Sequence, residues 1–137
     1  MVFVINYWAV IVAALAAFFI GWAWYSPMLF MKPWMTELGM SMDGMKPSMK
    51  GMAPTMVAGF IQQLVTAYIL AHFAIAFGAS DAMGAVQLGL WVWLGFMATT
   101  VLGPVLWEKR SVKWYVIVAG QLLVATVVMS LIVVLWQ

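Results

Sequence analysis

Apolar and polar positions divide this chain into four long apolar runs joined by more polar segments. The runs cover roughly 3–24, 53–77, 85–107 and 114–136, and none has Asp, Glu, Lys or Arg in its middle. A bilayer core of about 30 Å needs roughly 20 apolar residues in helical form, and each run is long enough. Backbone polar groups in lipid must be satisfied within the structure, which a continuous helix achieves. A β-barrel would instead show alternating segments of about ten residues, and the chain has none. The pattern predicts an all-α integral membrane protein. We expect residues 1–137 to form a single membrane domain, a four-transmembrane-helix bundle with a Met-rich loop over 27–52.

Composition removes the alternatives. Hydrophobic residues make up 67% of the chain and charged residues 7%, against about 25% charged in soluble domains. Disorder needs low hydrophobicity and high net charge, the reverse of this chain. There is no Cys, so disulfides, thiolate metal sites and Cys nucleophiles are excluded. A net charge of +2 without a basic patch gives no reason to expect nucleic acid as a partner. The first run has no preceding Lys or Arg and is longer than the apolar core of a signal peptide. We therefore read it as part of the mature protein.

The six basic side chains predict an orientation. Lys32, Lys46 and Lys50 follow the first run, and Lys109, Arg110 and Lys113 follow the third. Four spans put both loops on one side, so the positive-inside rule places them in the cytoplasm and both termini on the non-cytoplasmic side. Trp22, Trp24, Tyr25, Trp34, Trp107, Trp114 and Tyr115 then fall near the inner interface, and Tyr7, Trp8 and Trp136 near the outer one. There they read as headgroup-level anchors. Trp91 and Trp93 lie inside the third run, facing lipid or filling a gap between helices.

A weak internal repeat is present. Ser26-Pro27-Met28-Leu29-Phe30-Met31-Lys32 and Gly103-Pro104-Val105-Leu106-Trp107-Glu108-Lys109 share a small residue, Pro, an apolar residue, Leu, an aromatic and Lys. Gln62-Gln63-Leu64-Val65 and Gln121-Leu122-Leu123-Val124 also match in part. The pattern suggests two pseudo-repeated helical hairpins related by an axis along the membrane normal, as in some transporters, or chance similarity between two apolar segments.

The run from Gly21 to Met35, with Trp24-Tyr25-Ser26-Pro27 at its centre, resembles the signature of the DUF1761 family. Trp93-Leu94-Gly95-Phe96, Val105-Leu106-Trp107-Glu108 and Ala119-Gly120 resemble weaker elements of the same family. The chain departs from the family pattern at Val118 and Gln121, where Asn and an aromatic would be usual, and at Lys109, which stands in place of Gly. The family consists of small bacterial four-span membrane proteins of unknown function. The resemblance implies the same architecture in a bacterial cytoplasmic membrane and carries over no catalytic or binding residue.

Three groups of residues are candidates for chemistry or packing. Ala9, Ala13, Ala17 and Gly21 form a small-residue stripe that lets a second backbone approach closely. Ala67, Ala71, Ala74 and Gly78 in the second run and Gly89, Gly95 and Gly103 in the third add to this surface. Part closes the monomer, and part is left for neighbours. Gln62, Gln63, Thr99, Thr100 and Gln121 lie at similar depth and read as an intramembrane polar cluster, either interhelical glue or a solute path. His72 and Gln87 are within reach of one another. A proton relay would add a carboxylate or second His at membrane depth, and there is none, so a packing role is the plainer reading.

Nine of thirteen Met residues lie between Met28 and Met56. Met45, Met49, Met52 and Met56 repeat at three- and four-residue intervals, and thioethers are soft ligands for Cu(I). Met is also a flexible apolar filler. Gly44, Pro47, Gly51 and Pro54 argue against a single long helix here, so the segment reads as an interfacial loop. Glu108, beside Lys109 and Arg110, reads as one half of a local ion pair.

With one His, no Cys and no carboxylate cluster, an enzyme is the least favoured class. The leading expectation is a non-catalytic accessory or scaffold subunit. It would pack against the lipid bilayer and against itself or other membrane protein chains. A small oligomeric transporter or channel is the alternative, with Cu(I) handling third. No cofactor is implied.

Overall fold

The computed structural model describes residues 3–39 and 49–137, and every regular element among them is helical. They are α1 (Tyr7–Trp24), α2 (Met31–Glu37), α3 (Met49–Ala76), α4 (Ala82–Val92), a π-helical segment (Trp93–Ala98), α5 (Thr99–Trp107) and α6 (Val112–Leu135). Four helical stretches are long and apolar enough to cross a membrane: Tyr7–Trp24, Gly51–Ala76, Ala82–Trp107 and Val112–Leu135. They coincide with the four apolar runs within a few residues at each end.

Polar residues set the helix starts. The Asn6 side chain accepts from the N–H groups of Trp8 and Ala9, Asp81 from Gly84, and Ser111 from Trp114. Each satisfies donors that the first helical turn leaves unpaired. At the end of α3, Gly78 takes φ +68, and the N–H of Ala79 reaches back to the Ala74 carbonyl at 2.9 Å. This left-handed closure suits glycine.

The Met-rich segment is more helical than expected. α3 begins at Met49 and runs through Gly51 and Pro54 as one helix of 28 residues, roughly 42 Å long. Pro54 lies inside this helix and, having no N–H, forgoes one backbone bond without ending it. Within 27–52, α2 folds back on the bundle. Phe30 packs tilted against Trp24, Trp34 against Tyr25, and Met35 is buried.

α6 is the axis of the bundle, packing against α1, α3 and α4. Its buried residues, Ile117 to Val134, look toward all three. The seam between α3 and α4 is nearly empty of contacts, although one short turn joins them. α4 is drawn onto α6 at Gly89, where an added Cβ would stand 3.0 Å from Val127 Cα and 3.1 Å from Ser130 Oγ. Three bonds from α6 or its neighbours then hold the π segment. The Trp93 indole donates to Ala119 O at 2.9 Å, Thr126 Oγ1 to Met97 Sδ at 3.0 Å, and Tyr115 OH to Ala98 O at 3.0 Å. Committed to α6 along this line, the third span leaves α3.

The two Pro-containing segments of the suspected repeat take different conformations. Before Pro27 the helix has already ended, with Ser26 Oγ donating to Ala23 O, whereas Pro104 lies inside α5. Among the described residues, the π segment lies in the second half.

Candidate functional site: a groove between the second and third spans

Three cavities adjoin along the α3–α4 seam. The largest, about 580 Å³, is lined by Phe73 and Phe77 of α3, Ser80 and Asp81 of the turn, and Gln87, Trp91 and Phe96 of the third span. The second, about 320 Å³, is almost wholly apolar and lies among Val65, Ile69, Leu70, Phe73, Val92 and Phe96. The third, about 230 Å³, is lined by Gln62, Gln63, Thr66, Thr100 and Thr126 together with Met97 and Met129. Phe96 borders all three. Together they make a lateral groove with an aromatic mouth that carries Ser80, Asp81 and Gln87, an apolar middle and a hydroxyl- and amide-lined far end. The largest cavity alone is in the range of about 300–1,000 Å³ typical of small-molecule sites.

The π segment shapes this wall. π turns are rare and concentrate at functional sites. Here the segment turns Trp93, Met97 and Ala98 to bonds with α6 while Phe96 faces the groove.

The expected polar cluster is split. Gln62, Gln63 and Thr100 do meet, in the smallest cavity, joined by Thr66 and Thr126. Thr99 does not line it, and its hydroxyl donates to Gly95 O at 2.8 Å, as that of Thr100 does to Phe96 O at 2.7 Å. Such bonds to the preceding turn satisfy each hydroxyl locally. Gln121 is buried at the α1–α6 contact, with its Nε2 3.5 Å from where a Gly21 Cβ would stand. A methyl at Gly21 would therefore sit in ordinary contact with the Gln121 amide.

His72 and Gln87 do not pair. His72 Nδ1 lies 2.9 Å from the Tyr68 carbonyl, and its ring packs edge-on against Tyr68 and Phe3. Gln87 lines the largest cavity, which His72 does not. Ala9, Ala13 and Ala17 are buried to 1% exposure or less inside the bundle. They close the monomer and leave no surface there for a neighbour. Gly89 is equally committed, but Gly95 and Gly103 have open space beside them.

Of the methionines considered for Cu(I), Met45 and the side chain of Met49 lie outside the described residues. Met52 and Met56 stand one turn apart on α3, both exposed. Glu108 forms no ion pair with its basic neighbours. Arg110 instead lies over the Trp114 ring at 6.0 Å. Glu37 accepts the Ser111 hydroxyl, so α2 brings a carboxylate to the N-terminus of α6, where the helix dipole favours it. Neither Glu37 nor the turn it caps stood out in the sequence, because the pair is 74 residues apart.

An all-helical chain with four membrane-length apolar helices defines a multi-pass membrane protein. Over residues 8–134 it matches the model of DUF1761, a family described as proteins of unknown function, and it belongs to that family. No curated protein and no solved structure matches the chain.

Proposed function

We propose that the protein is a non-catalytic, membrane-embedded binding component that takes a small hydrophobic solute from the bilayer into the α3–α4 groove. The observation that carries this reading is the groove itself, with cavities of about 580, 320 and 230 Å³ in a row along one seam. It revives the transporter side of the sequence expectations. Ala9, Ala13 and Ala17, part of the small-residue surface behind the scaffold expectation, are consumed within the bundle. We also infer that the basic loops face the cytoplasm of a bacterial cell.

A second reading keeps the accessory subunit. Gly95, Thr99 and Gly103 follow one another at four-residue intervals, with open space beside both glycines. Small residues at that spacing suit a neighbouring transmembrane helix, from another chain or a second copy.

Native mass spectrometry of the protein extracted gently from its own membranes separates the two. A small-molecule adduct that disappears in Phe96→Trp supports the groove reading. A stoichiometric complex with another chain, lost in Gly95→Leu, with no adduct, supports the accessory reading and overturns the first.

A further inference from the structure

The mouth of the groove has a chemistry of its own. Phe73, Phe77, Trp91 and Phe96 give the 580 Å³ cavity an aromatic lining, and among the described residues Asp81 is the charged side chain on its wall. Phe77 and Trp91 are each more than 70% exposed, so their rings are free to meet a ligand. We propose that this cavity selects hydrophobic organic cations, amines or onium ions, over neutral and anionic molecules of the same size. The proposal rests on the groove reading above and specifies its ligand class.

All six Lys and Arg belong to the two basic loops and the first turns of the helices that follow them. Asp81 lies at the opposite end of the spans, in the turn between α3 and α4. That end is marked by the Asn6 Nδ2 bond to Trp136 O and the Gln137 Nε2 bond to Ala79 O. Asp81 makes no ion pair among the described residues. Its Oδ1 accepts from Gly84 N–H at 2.7 Å, and the start of α4 offsets about half a charge. The remaining negative charge stands at the rim of a low-dielectric cleft, which focuses its field. Aromatic faces add attraction for a cation through their quadrupoles, the basis of quaternary-ammonium recognition. An anion would meet repulsion from both the carboxylate and the rings. A neutral solute would gain from apolar burial alone. The Gln87 amide, on the same wall, offers a carbonyl acceptor to an ammonium N–H.

The test is equilibrium binding to the purified full chain in detergent. Three probes of similar shape are compared: tetraphenylphosphonium, neutral triphenylmethane and tetraphenylborate. We expect the phosphonium to bind tightest and the borate weakest. Asp81→Asn removes the charge but keeps a good N-cap. It should weaken phosphonium binding by up to about fivefold, the scale of an exposed charge pair, and leave triphenylmethane unchanged. Equal binding of phosphonium and borate, or phosphonium binding indifferent to Asp81→Asn, overturns the cation inference while leaving the groove reading in place. Absence of binding by every probe, or binding unaffected by Phe96→Trp, overturns both.

Discussion

The indole Nε1 of Trp24 donates to the carbonyl of Ile117 at 2.9 Å, and the same ring lies against Gly120, 3.3 Å from where a Cβ would stand. Trp24 therefore joins α1 to α6 and is more than an interfacial anchor. Trp93 does the same from the third span, two residues further along α6, at Ala119. Trp24→Phe removes the donor together with the part of the ring that packs on Gly120. We expect it to lower stability by about 1 kcal/mol, the usual scale of such a bond. Thermal unfolding in detergent reads this, and an unchanged midpoint would mean that the bond contributes nothing.

The α4–α6 contact gives a pair of opposite expectations. Gly89→Ala must push a methyl against Val127 Cα and Ser130 Oγ, and overpacking of this kind costs about 1–3 kcal/mol. Ser130 Oγ is buried with no hydrogen-bond partner. Ser130→Ala removes that unpaired hydroxyl and should leave stability unchanged or raise it by about 1 kcal/mol. Denaturant titration of both variants checks the signs, and a destabilised Ser130→Ala would reveal a partner for the hydroxyl.

Lys109 holds φ +57 in the turn between α5 and α6. A left-handed backbone costs a side-chain-bearing residue roughly 1–2 kcal/mol. Glycine escapes that strain but loses more chain entropy on folding. Lys109→Gly should therefore raise stability by up to about 1 kcal/mol, and Lys109→Val should lower it. The reverse order in thermal melts would contradict the strain argument.

Tyr25 has its phenol pKa raised from 10.0 to about 12 by burial, under Trp34 at 5.0 Å. Desolvation disfavours the phenolate. The folded-state value is the higher one, so its contribution is fully present below about pH 10 and is lost as pH climbs toward 12. Phenolate absorbance followed against pH should lose a late-titrating component in Tyr25→Phe. The variant should also unfold at a higher alkaline pH than the wild type. Identical titration curves would place Tyr25 in water.

The native chain has no Cys, so single introduced thiols report sidedness cleanly. In intact cells, Ser80→Cys should react with an impermeant maleimide, and Val112→Cys should react only after lysis. The opposite pattern would invert the orientation inferred from the basic loops.

The four spans were legible because lipid admits a continuous helix and little else, so hydropathy and length alone delimit them. Family membership was legible in the run around Trp24-Tyr25-Ser26-Pro27. The starts at Asn6, Asp81 and Ser111 were readable in principle, since each is a capping residue directly before an apolar run. Helix partners were a different matter. Ala9, Ala13 and Ala17 announce a close approach without saying whether the approaching backbone is α6 or a neighbouring molecule. Gln62, Thr99 and Gln121 share a depth, but depth does not fix rotation about the helix axis, and rotation sends them to three different surroundings. The groove was invisible for the same reason. It exists because Gly89, Trp93 and Met97 bind the third span to α6, and one sequence read along its length does not contain the choice between α6 and α3. Hydropathy and length determined that this chain has four helices long and apolar enough to cross a membrane. The tertiary packing alone decided that the second and third spans, though adjacent in the chain, stand apart.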